Sequence, residues 1–164
     1  MGNIKFREFK SEDAEFCFKT RSAAFIEKFY DELSPEVVSL CVNAYMPQDY
    51  INLSKNFQFF IVEDLGENVG FITIKRIDIE RAEIPLIYFN LEKLGMGYGK
   101  RSMEFIEEWV KANWKEVGKI FLDTIIPIYN GDFYRKMKYE ETGGSICTFS
   151  GKHVRAKRFE KCIN

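Results

Sequence analysis

Leu91-Glu92-Lys93-Leu94-Gly95-Met96-Gly97-Tyr98-Gly99-Lys100-Arg101-Ser102 decides the reading of this chain. Before it, Ile84 to Phe89 is an apolar run that reads as a strand. After it, Met103-Glu104-Phe105-Ile106-Glu107-Glu108-Trp109-Val110 returns its apolar residues at helical spacing. The local order is therefore strand, glycine turn, helix. Alternating glycines strip Cβ atoms from one side of the turn, so backbone N–H groups can close on a ligand. With the helix start they form a pocket of positive partial charge suited to phosphate.

Two nucleotide motifs fail on spacing. A Walker loop needs Gly-Lys-Ser/Thr after four spacer residues, and Gly99-Lys100-Arg101 lacks both the spacer and the hydroxyl. The dinucleotide fingerprint is Gly-x-Gly-x-x-Gly, whereas the spacing here is Gly-x-Gly-x-Gly, and the loop lies past mid-chain instead of after a first strand.

Composition narrows the class. A chain of 164 residues has the length of one domain, and 46% apolar with 30% charged residues is the balance of a folded globular protein. A net charge of −1 gives no basic field for nucleic acid. Cys17, Cys41, Cys147 and Cys162 form no Cys-x-x-Cys pair, which argues for packed thiols over a zinc site or a disulfide framework. The single histidine, His153, cannot make a metal site alone. No signal segment or membrane-length apolar run is present, so the expected location is cytoplasmic, with no membrane partner.

Outward from the loop, Asn3 to Phe9 suits an opening strand. Ser11 is a candidate N-cap with Glu12 and Asp13 in the first turn, and Phe16 to Phe29 supplies one long or two short helices. Ser34-Pro35-Glu36 starts another helix and a short one covers about Gln48 to Leu53. Phe57 to Val62 and Val69 to Ile77 read as a hairpin about Asp64–Asn68. After the long helix, which runs to about Trp114, Lys119 to Ile125 is a strand that Pro127 ends. A short helix ends near Lys138, and Ser145–Phe149 with His153–Phe159 make a last hairpin.

Leu94-Gly95-Met96-Gly97-Tyr98-Gly99 resembles the acetyl-CoA pyrophosphate loop of the GNAT superfamily of N-acetyltransferases, usually Gln/Arg-x-x-Gly-x-Gly/Ala. Leu94 stands in the Gln/Arg position, which removes a side-chain donor and leaves the backbone cradle. Phe133-Tyr134-Arg135-Lys136-Met137-Lys138-Tyr139 is similar to the family's Tyr-x-Lys-x-Gly-Phe segment, with Lys138 in place of Gly. A left-handed Lys138 would cost on the order of 1 kcal/mol. The element order matches the family across nearly the whole chain.

The resemblance implies a single domain, 1–164, of α/β (α+β) class. Its sheet would be mixed and mostly antiparallel, with about seven strands flanked by helices and a splayed parallel strand pair at the acetyl-CoA site. It implies acetyl-CoA as co-substrate, with no metal, and direct acetyl transfer to a primary amine. Phe89 and Leu91 would bond the pantetheine arm through their backbones. The pyrophosphate would rest on Leu94, Gly95, Met96, Gly97, Tyr98, Gly99 and Lys100, with Lys100, Arg101 or Arg135 meeting the remaining charge. Asn130 either caps the short helix or contacts the cofactor.

Tyr134 is the implied general acid, against the alternative of a packed aromatic. Glu83 or a water is the implied base, with Glu80 a weaker alternative. Glu27, Asp31, Glu32 and Glu36 are candidates to attract a cationic amine, against an ordinary solvated helix face. The acceptor is an amine on a small molecule or a protein: N-termini, lysines, polyamines, aminoglycosides and amino acids all stay open. A homodimer is common in such folds but is not visible in this sequence. A non-catalytic acyl-CoA sensor of the same fold is the alternative function, and no nucleic-acid partner is expected.

Overall fold

The structure is a computed structural model that describes residues 4–126 and 131–164. Eight strands are present, β1 (Lys5–Glu8), β2 (Gln58–Asp64), β3 (Glu67–Arg76), β4 (Arg81–Glu83), β5 (Ile87–Phe89), β6 (Lys119–Ile125), β7 (Glu140–Phe149) and β8 (Lys152–Cys162). Among the described residues five α-helices accompany them: α1 (Ala14–Ala23), α2 (Pro35–Asn43), α3 (Pro47–Leu53), α4 (Tyr98–Asn113) and α5 (Gly131–Lys136). The strand order is β1-β2-β3-β4-β6-β8-β7, with β5 also on β3. β4 and β6 run parallel, and the other pairings among the described residues are antiparallel. No helix among these residues is long and apolar enough to cross a membrane.

Both faces of the central sheet are covered, which is why β2 and β3 read as continuous apolar runs. Phe60, Ile72 and Ile74 pack with Met103, Ile106 and Val110 of α4. Phe59, Ile61 and Phe71 pack on the opposite face with Cys17 of α1 and Tyr50 of α3. Met103, Ile106 and Val110 recur at three- and four-residue spacing and are fully buried, each worth about 1.5–3 kcal/mol of burial.

The strand expected over Ile84 to Phe89 is instead two strands. Lys75 stands opposite Glu83, but Thr73 donates its N–H to Leu86 O at 2.9 Å, so two steps along β3 match three along its partner. That extra residue is a β-bulge at Ile84-Pro85. Pro85 has no N–H to give to a ladder, so pairing on its other side stops with the bond from Ile84 N–H to Phe121 O. Beyond Pro85 the two neighbours separate and β6 continues with β8 alone. The extra strand over the expected seven is this split.

Other boundaries shift for local reasons. Lys10, not Ser11, begins the first turn: Asp13 is buried and accepts the Lys10 N–H at 2.8 Å. Ser34 does cap α2, accepting from Val37 N–H. The early helix is one continuous run whose end, Ala24–Lys28, is π-helical, closed by Phe29 N–H to Ala24 O. Lys138 does adopt a left-handed φ of 65°, ending α5 with Tyr139 N–H bonded to Tyr134 O. The last hairpin turns on Ser150 and Gly151 alone, both with positive φ; the turn expected over Ser150-Gly151-Lys152 loses Lys152, which pairs with Phe149 as the first residue of β8.

Candidate active site

The opening between β5 and β6 continues into a cavity of about 680 Å³. Its floor is the bulge and β5, one wall is Leu122–Ile125 of β6, and its outer end reaches the π-helical turn and the β7–β8 hairpin. Glu83, Phe89, Leu91, Leu94, Gly95, Gly97, Tyr98, Gly99, Lys100 and Tyr134 all line it. Met96 does not, and its side chain is exposed. Asn130 lies outside the described residues.

The β5 backbone explains how one edge stays free. Tyr88 pairs with Phe71, and flanking bonds from Thr73 N–H to Leu86 O and from Asn90 N–H to Val69 O set the alternation. The N–H and C=O groups of Ile87 and Phe89 therefore point away from β3, toward the gap. Leu91 starts a 3-10 turn, Leu91–Lys93, that carries the chain to the glycines.

Gly95 and Gly97 have φ of 81° and 84°, and Gly97 is the N-cap of α4. It offers no side-chain oxygen, and the first turn of α4 holds no acid. The N–H groups at the start of a helix have no intrahelical partner, so those of Tyr98, Gly99 and Lys100 face the ligand side uncapped. Tyr98 contributes through its backbone, because its buried phenol donates to Asp64 Oδ2 at 2.7 Å and ties the helix start to β2. A Cβ at Gly99 would lie 3.2 Å from Phe133 Cζ, close enough that the ring would have to shift by a few tenths of an ångström. These features fit a pyrophosphate held by backbone donors.

Gly97→Ala isolates the backbone contribution, since a Cβ there meets nothing within 4 Å. The expected cost is about 1–2 kcal/mol of left-handed strain. If it is relieved by turning the N-cap, acetyl-CoA affinity falls about tenfold in a calorimetric titration.

The cations differ in availability. Lys100 is exposed and pairs only loosely with Glu104 at 3.7 Å. Arg135 is held by Asp132 and by Glu141 at 2.9 Å, so its expected phosphate role requires breaking those pairs. Lys93, which the sequence did not single out, lines the cavity.

Tyr134 is 7% exposed and packs against Phe133 and Phe159, with ring centroids 5.1 and 5.4 Å away. Burial pushes its phenol well above the ordinary tyrosine range, so it stays protonated at any working pH. Glu83 is half-buried; burial first, then the nearby Asp123 carboxylate, raises its pKa. Asp123 is itself gripped by Arg158, Nε to Oδ1 and Nη2 to Oδ2, both at 2.9 Å. Glu80 is exposed in the Asp78–Arg81 turn and does not line the cavity.

Nor do Glu27, Asp31, Glu32 and Glu36 line it; all four are exposed, and Glu36 pairs with Lys152. The cavity's outer end instead holds Arg21, Lys28, Tyr45 and Tyr88. His153 is exposed on the hairpin beside Thr148, and no metal-ligating cluster occurs among the described residues. Asp123 carried a legible signal, a lone acid inside an apolar strand. Arg21 carried none.

The sequence model of the Acetyltransferase (GNAT) family matches residues 19–139. A GCN5-related N-acetyltransferase structure from Rhodopseudomonas palustris superposes with a TM-score of 0.83 at 16% identity, covering 99% of this chain and 97% of that one. The PaiA N-acetyltransferase of Thermoplasma acidophilum, solved with coenzyme A, gives 0.75 at 20% identity over 98% and 99% of the two chains. The spermidine/spermine N-acetyltransferase SpeG of Vibrio cholerae gives 0.66 at 17% identity over 98% and 92%. No curated protein matches the chain.

Proposed function

Because the chain belongs to the acetyltransferase (GNAT) family, we propose that it is a single-domain N-acetyltransferase that moves the acetyl group of acetyl-CoA directly to a primary amine. The observation that carries this reading is one cavity that joins an uncapped, glycine-rich helix start to a buried tyrosine and a half-buried glutamate. Acetyl-CoA, when bound, supplies an activated thioester.

The chain's residues do the rest. The N–H groups from Gly95 to Lys100 hold the pyrophosphate, and the free edge at Phe89, with the Leu91 N–H just beyond the strand, orients the pantetheine arm. Bringing both substrates into one groove supplies much of the rate. Tyr134 gives its Oη proton to the departing thiolate sulfur. Glu83, directly or through a water, accepts the proton of the attacking amine.

Glu83 sets the pH dependence. A base must be ionised to act, so kcat/KM rises with pH through its pKa, which lies above the ordinary glutamate value. Glu83→Gln is expected to remove that limb and lower kcat/KM about 100-fold. The same variant should be slightly more stable at neutral pH. A carboxyl whose folded pKa is raised is least costly below its unfolded pKa, and the stability it lends is lost as pH rises through the folded pKa. An acid limb that survives the substitution removes Glu83 from the mechanism.

Calorimetric titration with acetyl-CoA, against ATP and NAD, tests the reading. Micromolar binding of acetyl-CoA alone, near −8 kcal/mol, supports it. Equal binding of ATP, or none of acetyl-CoA, overturns it. Leu94 favours one second reading, a non-catalytic acyl-CoA sensor, because its exposed aliphatic side chain brings no donor to the loop. Binding without thiol release for any amine would select the sensor.

A further inference from the structure

Arg21 is a buried charge without a counter-charge among the described residues. It is 1% exposed and lines the outer end of the cavity. Its Nη1 donates to Cys41 O, while its Nε is buried with no hydrogen-bond partner among the described residues. No carboxylate pairs with it there. Around it lie three rings, with Phe25, Tyr45 and Tyr88 centroids 4.7, 4.8 and 5.6 Å from the guanidinium carbon, and the Tyr88 phenol oxygen also interacts with the guanidinium. Cation–π attraction offsets part of the desolvation of such a charge, and an anion bound by the planar fork offsets far more.

The rest of the cavity is arranged around this asymmetry. Asp123, the other carboxylate on the lining, is already held by Arg158 from outside it, and Lys28 of the π-helical turn adds a second cation to the lining. Glu83 lines the same cavity, and the Tyr45 phenol, raised chiefly by burial, feels both charges, pulled down by Arg21 and pushed up by Glu83. The cavity therefore offers a carboxylate for an amine and a guanidinium for an anion. A polyamine would set a second ammonium against Arg21 and Lys28.

We propose that the acceptor is a small molecule carrying a carboxylate as well as the primary amine, with Arg21 binding the carboxylate while the amine faces Glu83. This rests on the acetyltransferase reading above. In the transfer, the amine nitrogen bonds to the acetyl carbon, the carbon–sulfur bond breaks, Glu83 or water takes the amine proton, and Tyr134 protonates the sulfur.

The full chain, saturated with acetyl-CoA, is assayed by thiol release with each standard L-α-amino acid and β-alanine against its own carboxamide, and with spermidine. The carboxamide has the less basic amine, hence more free nucleophile at neutral pH, so basicity works against the expected result. At least one carboxylate should exceed its amide by about 100-fold in kcat/KM, because the amide leaves Arg21 unpaired. Arg21→Met should erase that preference through KM, by weakening the carboxylate far more than the amide, and leave acetyl-CoA binding intact. Arg21→Lys, which keeps the charge without the fork, should retain part of it, and serves if Arg21→Met does not fold.

Should no acceptor turn over, thermal stabilisation of the coenzyme A-loaded protein by acid over amide reads the same preference. Equal acids and amides in both measurements, or spermidine as the best acceptor, would overturn the proposal while acetyl-CoA binding left the acetyltransferase reading standing. Loss of acetyl-CoA binding itself would instead mark failure of that reading.

Discussion

Tyr134→Phe is expected to lower kcat about 100-fold while leaving the acetyl-CoA affinity within about twofold. The ring stays because its packing does not depend on the hydroxyl: Phe133, Tyr139 and Phe159 surround it with centroids 5.1 to 6.5 Å away. Only the proton donor is lost. The thiolate must then leave unprotonated or take its proton from water, which is the step the phenol serves. The sign of the pH effect follows from burial. An acid must be protonated to act, and burial holds this phenol well above the ordinary range, so Tyr134 imposes no alkaline fall in the wild-type rate up to about pH 10. Steady-state kinetics with saturating amine, and calorimetry with acetyl-CoA, check both halves. Full turnover with normal binding would make Tyr134 a packed aromatic and nothing more.

Gly70→Ala should have the largest effect on stability. A Cβ there would lie 2.2 Å from Phe89 Cδ1 and 2.6 Å from the Tyr88 carbonyl oxygen, distances that no side chain tolerates. The Phe89 ring lies across Gly70, its cross-strand partner, and its centroid is 6.4 Å from that of Tyr98. The obstruction is therefore a ring locked by packing on one side and backbone on the other. We expect a loss of about 3 kcal/mol or more, a fall in Tm of roughly 10 °C. Acetyl-CoA binding should weaken as well, because the displaced Tyr88-Phe89 segment is the one whose free edge faces the cavity. Adding Phe89→Ala should recover only part of the loss, since the carbonyl clash remains. Complete recovery would show that the ring alone was responsible, and an unchanged Tm would contradict the packing described.

The two predictions differ in how far sequence could anticipate them. Tyr134 was marked by its motif and by its distance from the loop. Gly70 looked like any glycine in a strand, because nothing nearby in sequence announces a ring nineteen residues away lying across it.

What the sequence by itself determined is the local chemistry. The glycine loop sat between an apolar run and an amphipathic helix, Ser34-Pro35 started a helix, and Ser150-Gly151-Lys152 marked a turn. Each of these depends on backbone sterics or on a period within a few residues. The family resemblance followed from two such segments and their separation. It also pointed to Glu83, Tyr134 and the loop, which one cavity then brings together.

Only the tertiary structure decided the rest. Pro85 was visible from the start, yet its consequence, a bulge that frees one strand edge, exists only when β3 and β6 lie on either side of it. Glu80 and Glu83 are both acids at one strand's beginning, and only the fold puts one in the turn and the other in the cavity. Arg21 sits in Lys19-Thr20-Arg21-Ser22, a polar run with nothing in it to announce burial. Its burial comes from Phe25, Tyr45 and Tyr88, of which the last two arrive from distant elements. Burial and charge pairing are sums over neighbours in space, and a pattern along the chain reports only the neighbours in sequence.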